Sequence, residues 1–221
     1  MKPEILSAIK EILTQTKEND EVILSNFIDR EVLEHLGFNA TENKYIIDRE
    51  NRINLAKLAV QEGAEIGAIV QLLTWKDFEG FVASILIANS YHCIESFRRR
   101  GNSLIHGMEI DVIGVSGPNI IAIDAKMWSI RRGKVSALKK AAEKQKTRTR
   151  ELSRELDQLA KKIDKLPPKE YHLYPVLVTW LVEDVELYEG VPVVPIFKLN
   201  SFILDFYRYE EMIVSYIGIH S

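Results

Sequence analysis

Apolar residues recur at helical spacing through the first third of the chain and at strand spacing beyond residue 90. In KPEILSAIKEILTQTK the positions Ile5, Ile9, Ile12 and Leu13 line one face of a helix. NFIDREVLEHLGF predicts a second helix, with Gly37 as its C-terminal stop. RENRINLAKLAVQEG and AEIGAIVQLL predict a helix pair with Gly63 in the turn. Two readings of that pair stand: a DNA-reading helix-turn-helix, or a packing or dimerisation element, the second favoured by its acidic surroundings. WKDFEGFVASILIANS then predicts an amphipathic helix with Phe78, Val82, Ile85 and Leu86 as its apolar stripe.

Three strands follow, in HCIESFRRR, MEIDVIGV and NIIAIDAKMW, the last two joined by the turn Ser116-Gly117-Pro118-Asn119. A long polar helix is expected from Lys134 to about Lys165, stopped by Pro167-Pro168. Two further strands, LYPVLVTWLV and VPVVPIF, precede a terminal helix and short strand. This order predicts an α/β layer with a mixed sheet. It divides the chain into an N-terminal α-helical segment, residues 1–74, and an α/β domain, residues 75–221.

Composition narrows the class. With 46% hydrophobic and 28% charged residues the chain reads as an ordinary globular protein. No apolar run approaches the roughly 20 residues that span a bilayer. MKPEILSAIKEILTQ carries no signal-peptide pattern, so the expected compartment is the cytoplasm. The one cysteine, Cys93, excludes an internal disulfide framework and a cysteine-based zinc cluster, and reads as a small buried hydrophobe. There is no glycine-rich phosphate loop.

Charge is distributed unevenly beneath a net value of -3. Residues 1–75 hold 8 basic and 13 acidic side chains, whereas residues 126–172 hold 15 basic and 6 acidic. RRGKVSALKKAAEKQKTRTR, residues 131–150, has nine basic residues and one acid, too one-signed for salt-bridge lacing along a helix. Such a block is an electrostatic footprint for a polyanion, and nucleic acid is the expected partner.

The stretch EIDVIGVSGPNIIAIDAK, residues 109–126, places charges at the ends of two buried strands. Side chains two apart share a face, so Glu109 projects with Asp111, and Asp124 with Lys126. If the strands pair through the Ser-Gly-Pro-Asn turn, Asp111 and Asp124 converge with Lys126 beside them. Two carboxylates and a backbone carbonyl suit a hard cation such as Mg²⁺, and a neighbouring lysine can orient a water.

The order Glu79, Asp111, Asp124-Ala125-Lys126 resembles the active-site signature of the PD-(D/E)XK nuclease superfamily. That superfamily includes type II restriction enzymes, Mrr-type enzymes and archaeal Holliday-junction resolvases, and the last two branches are the nearest. The resemblance covers residues 75 to about 205. It implies a restriction-endonuclease-like mixed sheet flanked by helices, and a Mg²⁺- or Mn²⁺-dependent endodeoxyribonuclease. Asp111, Asp124, the Ala125 carbonyl and Glu79 are the implied metal ligands, and Lys126 positions the attacking water. The signature's proline is absent, with Ile110 before Asp111. Gln145 either matches a glutamine that some branches carry or is a solvated helix residue, and Glu109 either joins the site or does not.

The basic clusters find a place in the same picture. Arg98, Arg99 and Arg100, and Arg131, Arg132 and Lys134, sit near the strand ends and are expected to grip the phosphates of bound DNA. Trp128 reads as core or as a ring that stacks on a base, the first favoured. His92, His106, His172 and His220 show no ligand spacing. The expected activity is structure-directed cleavage of the junction or repair type by a homodimer. The alternatives are a restriction-type or modified-DNA endonuclease, and a non-catalytic nucleic-acid-binding protein that keeps the fold.

Overall fold

The computed structural model describes residues 3–18, 21–23, 30–38, 45–101, 107–127, 134–163 and 166–220. It is a mixed α/β protein whose multi-stranded mixed sheet is flanked by helices. Its two compact units divide between Gly80 and Phe81. That division falls inside a helix that begins at Trp75, where the sequence pattern changes.

The first unit contains α1 (Pro3–Gln15), β1 (Glu21–Val22), α2 (Arg30–His35), β2 (Tyr45–Ile46), α3 (Arg49–Gln61), α4 (Ile66–Val70) and the start of α5 (Trp75–Ala88). The expected stripe of α1 is buried, with Ile9, Ile12 and Leu13 fully covered. Asp48 caps α3 by accepting the Asn51 N–H at 2.8 Å. Gly63 ends that helix at φ +91, a conformation that side chains with a Cβ rarely adopt. One buried cation ties the unit together. Arg52 donates to the Asp77 carboxylate at 3.0 Å, to the Leu13 carbonyl at 2.9 Å, to the Leu72 carbonyl at 2.8 Å and to the Thr16 hydroxyl.

The second unit carries the main sheet. Its strands are β3 (His92–Arg99), β4 (Met108–Ser116), β5 (Asn119–Lys126), β6 (Lys169–Thr179), β7 (Leu187–Tyr188), β8 (Val191–Pro195) and β9 (Tyr216–His220). They run in the order β3-β4-β5-β6-β8-β7, with β9 also paired to β6. β3, β4 and β5 form an antiparallel meander, and β5, β6 and β8 are parallel. The β4–β5 hairpin turns at Gly117-Pro118, with Ser116 opposite Asn119. β5 is apolar on both faces from Ile120 to Ile123 because it lies inside the sheet and is covered on both sides.

A parallel step from β5 to β6 needs a crossover, and α6 (Lys134–Ser153) supplies it. Its buried stripe is Leu138, Ala142, Gln145, Thr149 and Leu152. The single helix expected to run to about Lys165 instead ends at Ser153, and a separate α7 (Leu156–Ala160) follows. The reason lies in the packing. Gly218 of β9 comes so close to the Ser153 carbonyl that a Cβ there would lie 2.6 Å from it. The turn Arg154–Glu155 lets Leu152, Leu156 and Leu159 all reach the same core cluster as Ile113 and Ile120. Beyond β8 come α8 (Ile196–Leu204), α9 (Phe206–Tyr209) and a 3-10 turn, Glu210–Met212. No described helix is long and apolar enough to cross a membrane.

Candidate active site

The two antiparallel ladders of β4 both break at Asp111. Towards β5 the pairing stops at Val112 with Ile123, one residue short of Asp111. Towards β3, Glu95 pairs with Val112 and Phe97 with Ile110, but Ser96, which the register sets opposite Asp111, adopts φ +51 and makes no pair. A left-handed serine inside a strand is strained, and such strain concentrates at functional sites. The break frees the Asp111 side chain to replace the missing ladder bond. Its Oδ2 accepts the Ala125 N–H at 2.7 Å. Asp111 and the Asp-X-Lys stretch of β5 are thereby joined.

Asp124 is 3% exposed and lies between two cations. Lys126 Nζ sits 2.6 Å from Oδ2, and Arg148 Nη1 sits 3.0 Å from Oδ1. Only the Arg148 contact has hydrogen-bond geometry, so Oδ2 keeps a lone pair that no described hydrogen bond uses. Burial, and then the charge of Asp124, hold the Asp111 carboxyl above its ordinary value; the Ala125 N–H, Lys126 and Arg148 oppose that shift. The result is two crowded carboxylates on a half-buried sheet end, with a lysine on one of them.

The donor set fits the implied Mg²⁺. A magnesium site needs only one or two carboxylates, because waters and substrate phosphate complete its shell. Asp111, Asp124 (each of whose oxygens already faces a cation) and the Ala125 carbonyl meet that need. Among the described residues no three His, Cys, Asp or Glu side chains gather into a larger metal cage. Glu79 is buried on α5, on the stripe of Ala83 and Leu86, and belongs to the first unit.

The remaining expectations divide by burial. Glu109 turns away to pair with Arg98 Nη2 at 2.7 Å, both side chains well exposed. Arg99 was expected to reach phosphate, but its side chain is 7% exposed and bound to Glu151 at 3.0 Å and to Glu155. Lys134 is likewise held on Glu183 at 2.6 Å, with both side chains largely covered. Both cations are therefore tied to carboxylates of their own unit. Arg100 is exposed, as are Lys139, Lys140, Lys144 and Arg150 on the outer face of α6. Arg131, Arg132, Trp128 and His106 lie outside the described residues.

One open reading of the sequence is resolved, and one residue went unread. Gln145 is fully buried and donates to the Ala122 carbonyl at 2.8 Å, so the solvated-helix reading is replaced by an inward one. Arg148, three residues on, reaches Asp124 from the same side of α6. Its signal was the i, i+3 step from Gln145 beside the buried stripe, obscured by the density of basic residues around it. Cys93 is only partly buried; burial, and then Glu95, push its thiol up to about 12, so it is not a nucleophile at neutral pH.

This geometry defines an α/β protein with a two-aspartate, one-lysine centre at the end of a sheet. No family model matches the chain. A protein of Archaeoglobus fulgidus, described as an uncharacterized protein, is 26% identical over 137 residues, which are 62% of this chain and 95% of that protein. The structure of protein VC1899 from Vibrio cholerae is similar to 94% of this chain with a TM-score of 0.36 and 14% identity, and the chain spans 51% of its length.

Proposed function

We propose that this chain is a metal-dependent endodeoxyribonuclease of the PD-(D/E)XK kind, with a restriction-endonuclease-like domain. The observation that supports it best is the coupling of Asp111 to the Ala125 N–H, which sets one aspartate beside the Asp124–Lys126 ion pair. Burying two carboxylates beside an ammonium at an apolar strand end is costly, and such clusters concentrate at functional sites.

When bound at Asp111, Asp124 and the Ala125 carbonyl, Mg²⁺ or Mn²⁺ supplies Lewis-acid polarisation of the phosphate and a more acidic water. The protein's own groups do the rest. Asp124 fixes Lys126, whose ammonium has three donors to orient a water for in-line attack on phosphorus. The attacking oxygen gives up a proton to solvent and forms the new P–O bond as the bond to the 3′ oxygen breaks; that oxygen takes up a proton, leaving a 3′-hydroxyl and a 5′-phosphate. The same ammonium lies close enough to offset the developing negative charge. Arg98, Arg100 and the exposed lysines of α6 bind the flanking phosphates, so affinity falls steeply with salt. The substrate is branched or damaged duplex DNA in repair or recombination, and a homodimer cuts its two strands.

The test is cleavage of four-way junction, flap, duplex, single-stranded DNA and RNA with Mg²⁺ or Mn²⁺, wild type beside Lys126→Ala. Metal-dependent cutting that falls at least about 100-fold in the variant is expected. Cutting of linear duplex at fixed sites would move the protein to the restriction type. Binding without cutting under either metal would make it a recognition module and refute the enzyme.

A further inference from the structure

Arg148 holds an oxygen that a metal ion at Asp124 would also seek. Its guanidinium lies 3.0 Å from Asp124 Oδ1, and Lys126 takes the other side of the same carboxylate. A guanidinium is charged at every pH a protein survives, so it cannot yield by losing a proton. Adding a divalent ion beside it would crowd three cations, four positive charges in all, around one carboxylate. One of them must move.

In the nuclease reading Lys126 stays beside the metal to orient the water, which leaves Arg148 as the cation that yields. Among the described residues Arg148 makes one hydrogen bond, through Nη1, and leaves its other N–H groups unused. Arg52 makes four such bonds, and Arg99 spans two glutamates. Arg148 also has a direction in which to go. Lys144, one turn back, and Arg150, two residues on, face solvent in the basic stretch of α6. A released guanidinium there has donors in the fork geometry that suits a phosphate oxygen pair.

We propose that Arg148 is a counter-ion of Asp124 that competes with the metal: it neutralises Asp124 until a divalent ion displaces it, and then binds the phosphate of the substrate. This rests on the nuclease reading of the same site. Arg148 is thus a competitor of the metal and a partner of the substrate, which couples cofactor loading to DNA grip. An arginine that merely positioned Asp124 would have the opposite effect on the metal.

The experiment is Mn²⁺ titration of the full chain by calorimetry, for wild type, Arg148→Met, Arg148→Gln and Asp124→Asn. Thermal melts of each check folding, and junction DNA binding is measured with and without Mn²⁺. Loss of one charge-assisted bond predicts Mn²⁺ binding about tenfold tighter in Arg148→Met, and at least as much in Arg148→Gln, which serves alone if the first variant does not fold. Both variants should bind DNA more weakly than wild type when Mn²⁺ is present, and no differently when it is absent. Unchanged or weaker Mn²⁺ binding in the folded variants overturns the inference while leaving the nuclease reading intact. If wild type binds no Mn²⁺, or Asp124→Asn binds as well as wild type, the nuclease reading itself falls, and the inference with it.

Discussion

Replacing Arg99 by alanine separates a structural cation from a DNA-binding one. Its guanidinium is 7% exposed and held between Glu151 at the end of α6 and Glu155 in the turn before α7. Removing one partner of a fully buried pair costs about 3–5 kcal/mol. Here the two glutamates are 36% and 21% exposed and regain some hydration, so the expected loss is about 2–3 kcal/mol. For a chain of this size that lowers Tm by roughly 4–12 °C. Arg98 is the internal control. Its pair with Glu109 is open to solvent, so Arg98→Ala should change stability by less than about 1 kcal/mol. Urea unfolding gives the stability, and fluorescence anisotropy of a labelled DNA against salt gives the number of phosphate contacts. Arg99→Ala should leave the salt slope unchanged, whereas Arg98→Ala should reduce its magnitude by about 0.9. A stable Arg99→Ala protein with a reduced slope would refute this assignment and return Arg99 to the DNA.

Asp111→Asn should stabilise the protein at neutral pH while abolishing metal-dependent cleavage. The Asp111 carboxyl is raised by burial and by Asp124, so the folded state holds its proton more tightly than the unfolded one. Stability therefore falls as pH rises from the ordinary carboxylate value through the raised one, and the penalty is fully present above it. The Tm gain of the variant should be seen at pH 7 and vanish near pH 3; a Tm equal to or below wild type at pH 7 would contradict this. Arg52→Met should destabilise the first unit by about 3–5 kcal/mol, because it strands the Asp77 carboxylate and two buried carbonyls. Hydrogen exchange should show the loss in α1, α3 and α4, and adding Asp77→Asn should restore part of it. Unaltered exchange in those helices would show that Arg52 is not the tie.

The elements that announced themselves in the sequence were those where one periodicity dominated. Ile110, Val112 and Ile113, then Ile120 to Ile123, made β4 and β5 readable, and with them the meeting of Asp111 and Asp124. The partition of the basic residues was not readable. Arg98 and Arg99 are adjacent and chemically alike, and only the register against Glu109 and the position of α6 send one to solvent and the other inward. The break in α6 was hidden for a similar reason. Nothing in ELSRELDQL is a helix breaker by propensity; the close passage of Gly218 from 65 residues further along the chain decides it. Glu155, within that stretch, is also a partner of Arg99, so one distant contact fixed two local features. Arg148 was invisible because helical spacing says which side a residue faces, not which atom waits there.

β6 pairs along one edge with two different strands. Its first five residues, Lys169 to Leu173, take β9, and its last three, Leu177 to Thr179, take β8. Lys126 of the candidate site aligns with Thr179, and His220 of β9 aligns with Lys169, ten residues away along the same strand. At about 3.3 Å per residue those two ends are roughly 33 Å apart. A dye, an affinity handle or a surface tether joined beyond His220 would therefore sit about the length of ten base pairs from the candidate centre. In a single-molecule test of the proposed cleavage, the protein can be held by that end.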